Sequence, residues 1–586
     1  MESYTNTPDK LAVPQKAASP TAKSTCTGAE AVMRSLVAEG VETIFGYPGG
    51  AIMPIYDALY DFNHKVNHIL VRHEQGATHA AEGYARASGK VGVVFATSGP
   101  GATNLITGLA DALMDSVPMV CVVGQVSSGL LGTDAFQEAN IMSVCAAVTK
   151  WNYQVTDADE VADAMAKAFY VARSGKPGPV VIEVTKDAQF AELKKPFRYT
   201  PVTQLPYYRT DSGFTRKNLQ DAATLLNEAQ RPLILAGNGV GIAGAETALL
   251  QLAEKTETPV ACTLHGLSCI STSHTLYVGM LGMHGNYAPN LLTNQADVLL
   301  AVGMRFDDRV TGNLNFYAKQ AKVIHIEIDP SELNKIVKAD VPLLGDALAI
   351  LEELTPLLNT NSHPMWLNEF AKLDAQEEEK VRRNALYPNK EKLTMPEVIQ
   401  VLGEQTSGEA MVIADVGQHQ MMAARYYPFR KRKSYFTSGG LGTMGFALPA
   451  ALGAKTGAPD REIVAVIGDG CFQMTIQELA TIAQYKVPVK VMVLNNNFLG
   501  MVRQWQNMFF DGRYSFVKME NPDFTEISKA FGIQALRVEK REDLPGAVQQ
   551  MLQSEGPFLL NVLVENEENV FPMMPTGAAV DGMLLE

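Results

Sequence analysis

Between residues 462 and 500 an apolar strand ends in Gly468-Asp469-Gly470, a helix follows, and a second apolar strand ends in Asn495-Asn496-Asn497. In a right-handed strand–helix–strand unit the two strands run parallel. Asp469 and Asn496 therefore emerge at one carboxyl edge of the sheet, where open α/β sheets bind ligands. A carboxylate and an amide oxygen there suit Mg²⁺, which takes hard oxygen ligands and leaves positions for phosphate oxygens. Gly468 and Gly470 let the backbone approach a diphosphate closely. The competing reading is a Gly-Asp turn and a polar loop; the match at both strand ends favours a metal-diphosphate site. A second carboxylate, Glu74 in VRHEQGATHAAEGYARASGK, closes a strand and opens a helix whose Ala77, Ala80, Ala81 and Ala85 permit close packing. It reads either as a helix N-terminal acid favoured by the dipole or as a reactive group at a sheet edge.

These groups need parallel sheets to position them, and the chain carries the required pattern three times. From 28 to 190, VETIFGYPGG, NHILVRHE, VGVVFATSGPG, VPMVCVVGQ and GPVVIEV are strand-like runs ending in turn residues, with helices between them. The stretch 194–213 is rich in Pro and charge and reads as a linker. Alternation resumes with RPLILAGNGV, TPVACT, ADVLLAVG and KVIHIEID. Residues 346–395, with EEEKVRR inside, read as a solvated connecting helix. The expected layout is a disordered tail (1–25), a first domain (26–193), the linker, a central domain (214–375) and a third domain with the metal site (376–586). The fold class is α/β, three doubly wound parallel-sheet domains.

At 586 residues the chain exceeds what one hydrophobic core serves. Its 46% hydrophobic and 19% charged residues exclude a disordered or fibrous class. A net charge of −14 argues against nucleic acid or an anionic membrane as partner. Six cysteines without CxxC spacing fit reduced thiols and a cytoplasmic location. No apolar run approaches the roughly 18 residues of a membrane span, so a soluble protein is expected. The tail lacks arginine and contains Glu2 and Asp9, which favours plain disorder over the alternative of an organelle transit peptide.

The GDG and Asn-Asn pair resembles the thiamine-diphosphate signature, and the chain from about residue 26 resembles the acetohydroxyacid synthase family of thiamine-diphosphate enzymes. The resemblance implies that Glu74 bonds the aminopyrimidine N1′, promoting the form that takes the thiazolium proton. It implies that Asp469, Asn496 and Phe498 hold Mg²⁺. Gly417, Gln418 and His419 in DVGQH match the loop beside the phosphates, joined by Gly468, Gly470 and Cys471. Position 471 is usually a small Ser or Ala, so its Cys reads as packing rather than as a nucleophile. Met444 in GGLGTMGFALPAA matches the residue wedged between the cofactor rings, the alternative being a core Met. GTDAFQE (132–138) resembles the active-site loop, with Gln137 near the reacting carbonyl and Phe136 lining the pocket, the alternative being a plain polar loop. Lys186 stands where the family has a substrate lysine, though Thr185 replaces the usual proline before it. Such enzymes place the cofactor between chains, which implies a homodimer or higher; a separate regulatory subunit stays open.

GVGIAG (239–244) satisfies GxGxxG after a strand, but no strand-ending acid follows at the spacing of a nicotinamide site. Together with LGMHG, GMRFDDRVTG and HIEIDPSE it resembles instead the FAD domain of the same family. That resemblance assigns Gly239, Thr263, Leu264, His284, Arg305 and Asp329 to the flavin, while Lys176 replaces a more usual arginine. It also assigns the second substrate's carboxylate to Arg309 and its alkyl group to Trp505; a surface ion pair and a core anchor are the alternatives. The expected activity is condensation of pyruvate with pyruvate or 2-ketobutyrate, with loss of CO₂, in branched-chain amino-acid synthesis. A flavin-dependent pyruvate oxidase and a non-catalytic scaffold are the rival readings.

Overall fold

The structure, a computed structural model, describes residues 25–206, 208 and 213–586. The expected disorder or transit peptide at the N-terminus and part of the linker thus lie outside the described residues. Three six-stranded sheets form, and every pairing within them is parallel. The first contains β1 (Thr43–Gly46), β2 (Asn67–Leu70), β3 (Gly92–Ala96), β4 (Met119–Gln125), β5 (Trp151–Val155) and β6 (Pro179–Thr185), in the order β2-β1-β3-β4-β6-β5. The third repeats that order with β13 (Met411–Ala414), β14 (Tyr435–Phe436), β15 (Ile463–Gly468), β16 (Lys490–Asn495), β17 (Gln534–Val538) and β18 (Phe558–Leu563). The central strands are buried on both faces because helices cover the sheet, hence their unbroken Val, Ile and Leu runs.

The central domain holds β7 (Pro232–Ala236), β8 (Val260–Cys262), β9 (Tyr277–Met280), β10 (Val298–Val302), β11 (Lys322–Glu327) and β12 (Val341–Leu344), ordered β12-β11-β10-β7-β8-β9. Counted within the domain this is 6-5-4-1-2-3, the doubly wound dinucleotide order, with its crevice where β7 and β10 diverge.

The first and third domains meet along helices Glu74–Ser88 and Ala447–Gly457. A Cβ on Gly83 would lie 1.9 Å from the Ala450 carbonyl oxygen, and one on Gly453 only 1.7 Å from that of Ala80. The two glycines thus let the backbones touch reciprocally, and the alanines expected to pack closely share one core with Phe446 and Leu448.

Residues 346–395 depart from the solvated connecting helix expected of them. Helix Ala347–Leu354 ends and irregular chain leads into a second helix, Pro364–Glu377, which runs on through a π-turn, Glu378–Arg382. Trp366 and Phe370 are buried, and so is Glu377, ion-paired at 2.6 Å with the equally buried Arg425. The segment is a wedge between the central and third domains. No described helix is long and apolar enough to cross a membrane.

Candidate active site

β15 and β16 lie side by side with Gly468 opposite Leu494, so Asp469 and Asn496 leave the same edge. Both are buried. Asp469 Oδ1 accepts from the Gly470 N–H (3.1 Å) and Oδ2 from Asn521 Nδ2 (2.7 Å). Asn496 Oδ1 accepts from the Phe498 N–H at 3.1 Å. Burial pushes the Asp469 carboxyl up to about 6, the signature of an anion lacking a counter-charge. Asn521 also donates to Asn495 Oδ1 and Asn497 Oδ1. Sequence reasoning missed it because a loop side chain about 25 positions beyond the triplet carries no local signal.

These groups open into a cavity of about 60 Å³, which Gly417, Gln418, His419, Met444, Gly468, Gly470, Cys471 and Phe498 also line. Gly417 adopts φ 149°, in the range that favours glycine. A Cβ on Gly468 would lie 2.7 Å from the His419 ring, so that glycine makes room for the imidazole. Burial drops His419 to about 3, leaving it neutral, and its Nε2 finds no partner. Gln418 donates to Gln504 and to the Glu568 carbonyl, so its amide nitrogen is committed to the protein. The Cys471 thiol donates to the Val416 carbonyl at 3.1 Å, in keeping with its reading as packing. Asp415, not singled out from the sequence, accepts from the N–H groups of Val416, Gly445 and Ala447. It thereby ties DVGQH to the glycine-rich turn and sets Met444 in place.

At the β7/β10 crevice a second cavity of about 860 Å³ is lined by Gly239, Thr263, Leu264, His284 and Arg305. Gly239 donates its N–H to the Gly303 carbonyl at 2.9 Å, and a Cβ there would stand 2.6 Å from Gly303 Cα. The sequence motif is therefore used for a backbone crossing at the mouth of the cleft. Asp329 does not line the cavity; it lies 3.7 Å from Lys176, which does. Arg309 and Trp505 line this same cleft, and Met444 walls both cavities. The Arg309 side chain is 60% exposed and only 3.8 Å from Asp308, so its guanidinium is open to a ligand.

Glu74 is buried, with Oε2 accepting from Asn104 Nδ2 at 2.9 Å. The turn 97–101 separates it from the 132–138 loop: a Cβ on Gly101 would lie 3.2 Å from Glu74 Oε1, and one on Gly99 2.8 Å from the Gln137 carbonyl. Gln137 has φ 60°, and the Glu138 carboxylate, accepting from the N–H groups of Gly132, Thr133 and Ala135, holds the loop so that Phe136 stands 87% exposed. Lys186 opens the helix Lys186–Phe190, where Asp187 accepts from Ser128 and anchors that loop's approach. Within one chain Glu74, Phe136, Gln137 and Lys186 line neither cavity. The residues fall into two groups: one on the first domain, and one on the central and third.

Three family models match the chain: the N-terminal TPP binding domain of thiamine pyrophosphate enzymes over residues 26–144, their central domain over 219–354, and their C-terminal TPP binding domain over 415–562. Acetolactate synthase isozyme 2 large subunit of Escherichia coli (strain K12) is 46% identical over 558 residues, covering 95% of this chain and 99% of that protein. The acetolactate synthase large subunit of Corynebacterium glutamicum is 45% identical, covering 94% of this chain and 89% of that protein. A probable acetolactate synthase large subunit of Methanocaldococcus jannaschii is 42% identical over 95% of both chains.

Proposed function

The chain belongs to the acetolactate synthase large-subunit family of thiamine pyrophosphate enzymes, and on that premise we propose how its residues divide the work. It condenses pyruvate with a second pyruvate or with 2-ketobutyrate, releasing CO₂ and giving 2-acetolactate or 2-aceto-2-hydroxybutyrate for branched-chain amino-acid synthesis. The observation that carries the residue assignment is the shared Met444 wall: the small cavity at Asp469 adjoins the cleft that holds Arg309 and Trp505.

The buried, uncompensated Asp469 carboxylate and the Asn496 and Phe498 oxygens fit Mg²⁺, and the neutral His419 with the glycines at 417, 468 and 470 fits a diphosphate. When bound, thiamine diphosphate supplies the electron sink for decarboxylation. With the cofactor bound, Glu74 would hold and exchange a proton at the aminopyrimidine N1′. Gln137 hydrogen-bonds the keto-acid carbonyl, with Lys186 adding positive charge nearby and Phe136 closing the pocket. Arg309 offers a two-pronged donor to the second keto acid's carboxylate, and Trp505 walls its alkyl group.

FAD suits the cleft at the β7/β10 crevice, whose volume accepts a large cofactor. Condensation exports no electrons, so the flavin role is structural. With pyruvate under anaerobic stopped-flow conditions the flavin absorbance stays constant through turnover while 2-acetolactate accumulates. Bleaching in step with acetate or acetyl phosphate would establish the oxidase reading instead.

The separation of Glu74 from both cavities of its own chain supports an active site built between two chains, hence a homodimer at least. The relatives' designation as large subunits supports a separate regulatory subunit. Six buried free thiols support a reducing compartment, the cytoplasm.

Trp505→Leu lowers the preference for 2-ketobutyrate over pyruvate, because the extra methylene loses a wall worth roughly 1–3 kcal/mol of discrimination. Arg309→Lys weakens capture of both acids, since an ammonium cannot copy the fork. Competition between the two substrates, with both products quantified, separates the effects. An unchanged product ratio in Trp505→Leu, with a changed one in Arg309→Lys, would reverse the assignment.

A further inference from the structure

The helix that opens with Glu74 is clipped at its start by the third domain. Glu478, fully buried on helix Glu478–Tyr485, accepts the Arg72 N–H at 3.0 Å through Oε1. Thr481 Oγ1 donates to its Oε2 at 2.7 Å and fixes the carboxyl's orientation. The rest of the same helix reinforces the clip. Tyr485 Oη accepts from the Leu70 N–H at 2.9 Å, and Gln484 Oε1 accepts from Arg72 Nη2 at 2.6 Å. Gly76, in the first turn of the Glu74 helix, supplies the space. A Cβ there would lie 2.7 Å from Glu478 Oε1 and 3.0 Å from its Cδ. Glycine is less favourable than alanine inside a helix, and this close approach is what the position gains.

We propose that Glu478 is a positioning residue for Glu74, a carboxylate from the third domain that fixes the backbone from which Glu74 reaches the pyrimidine. The inference rests on the proton-exchange role given to Glu74 above. The Arg72 N–H lies just before the helix, outside its hydrogen-bond ladder. Binding it to a rigid acceptor sets where residue 74 starts and how its side chain leaves. Gln at 478 keeps an acceptor oxygen in place; Ala keeps none.

The test uses the full chain as Glu478→Ala, Glu478→Gln, Gly76→Ala, the Gly76→Ala/Glu478→Ala double variant, and Glu74→Gln for reference. In the unloaded protein, amide hydrogen exchange across residues 70–78 should quicken in Glu478→Ala and Gly76→Ala and stay near wild type in Glu478→Gln. With Mg²⁺ and thiamine diphosphate bound, deuterium exchange at the thiazolium carbon should slow about tenfold to a hundredfold in Glu478→Ala, the scale of a small misplacement, at unchanged cofactor affinity. Gly76→Ala should slow it similarly by pushing the carboxyl aside. The double variant should be no slower than Glu478→Ala, since the methyl then has room. Wild-type exchange in Glu478→Ala while Glu74→Gln is slow would overturn the positioning role, as would fully additive losses in the double variant. Wild-type exchange in Glu74→Gln would instead overturn the assignment of Glu74 itself. Should Glu478→Ala fail to fold, Gly76→Ala and Glu478→Gln still decide the matter.

Discussion

Asp469→Ala removes Mg²⁺-dependent binding of thiamine diphosphate, with a loss in affinity of a hundredfold or more, about 2.8 kcal/mol. In the proposed site Mg²⁺ would link protein to diphosphate, so losing the one buried carboxylate that would hold it should cost both partners at once. Asn496→Ala acts in the same direction. Asn521→Ala, which removes the group bonding Asp469 Oδ2 and two neighbouring asparagines, loses about tenfold to a hundredfold, as outer partners of metal ligands do. Calorimetric titration with the cofactor, with and without Mg²⁺, checks all three; unchanged affinity in both ligand variants would dismiss the site. Co-expression extends the test to the assembly. Glu74→Gln and Asp469→Ala are each inactive alone, but a mixed dimer with sites between chains carries both lesions in one site and neither in the other. Activity returning on co-expression marks such a shared site.

That Asp469 and Asn496 share one sheet edge was legible because both are tied to a βαβ unit, which fixes where strand ends emerge. The cleft at the β7/β10 crevice was legible as a set of segments, GVGIAG, LGMHG and GMRFDDRVTG, which the central fold brings to one cavity. Edge strands β5, β9 and β12 escaped because they are partly exposed and their apolar runs are broken, by Asn152 and Gln154, by Gly279 and by Pro342. Buried charge was the harder failure. EEEKVRR reads as solvated, yet Glu377 is sealed by Arg425, Asn286 and the Tyr287 N–H, groups about 50 and 90 positions away. Glu478 and Asp415 escaped for the same reason: each accepts from a segment distant in sequence, and a carboxylate's partner leaves no local pattern. Asp329 was assigned by resemblance alone and stands outside the cleft it was expected to line.

Gly453→Ala destabilises the protein, although the same change elsewhere stabilises it. Ala gains about 1 kcal/mol over Gly in a helix interior. At position 453 that gain meets a clash, since the new Cβ would sit 1.7 Å from the Ala80 carbonyl oxygen and only 2.6 Å from its carbon. Neither is the free end of a flexible side chain, so relief requires the helices Glu74–Ser88 and Ala447–Gly457 to move apart. The cost falls at or above the top of the roughly 1–3 kcal/mol range for overpacking, and Gly83→Ala, at 1.9 Å from the Ala450 oxygen, follows it closely. Gly546, in the helix Leu544–Gln553, has nothing within 4 Å of its would-be Cβ. Gly546→Ala should therefore raise the unfolding midpoint while Gly453→Ala lowers it. Because the displaced helix begins at Glu74, Gly453→Ala also slows deuterium exchange at the thiazolium carbon, whereas Gly546→Ala leaves it unchanged. Equal midpoints for the two variants would mean that the domains do not meet through this glycine crossing.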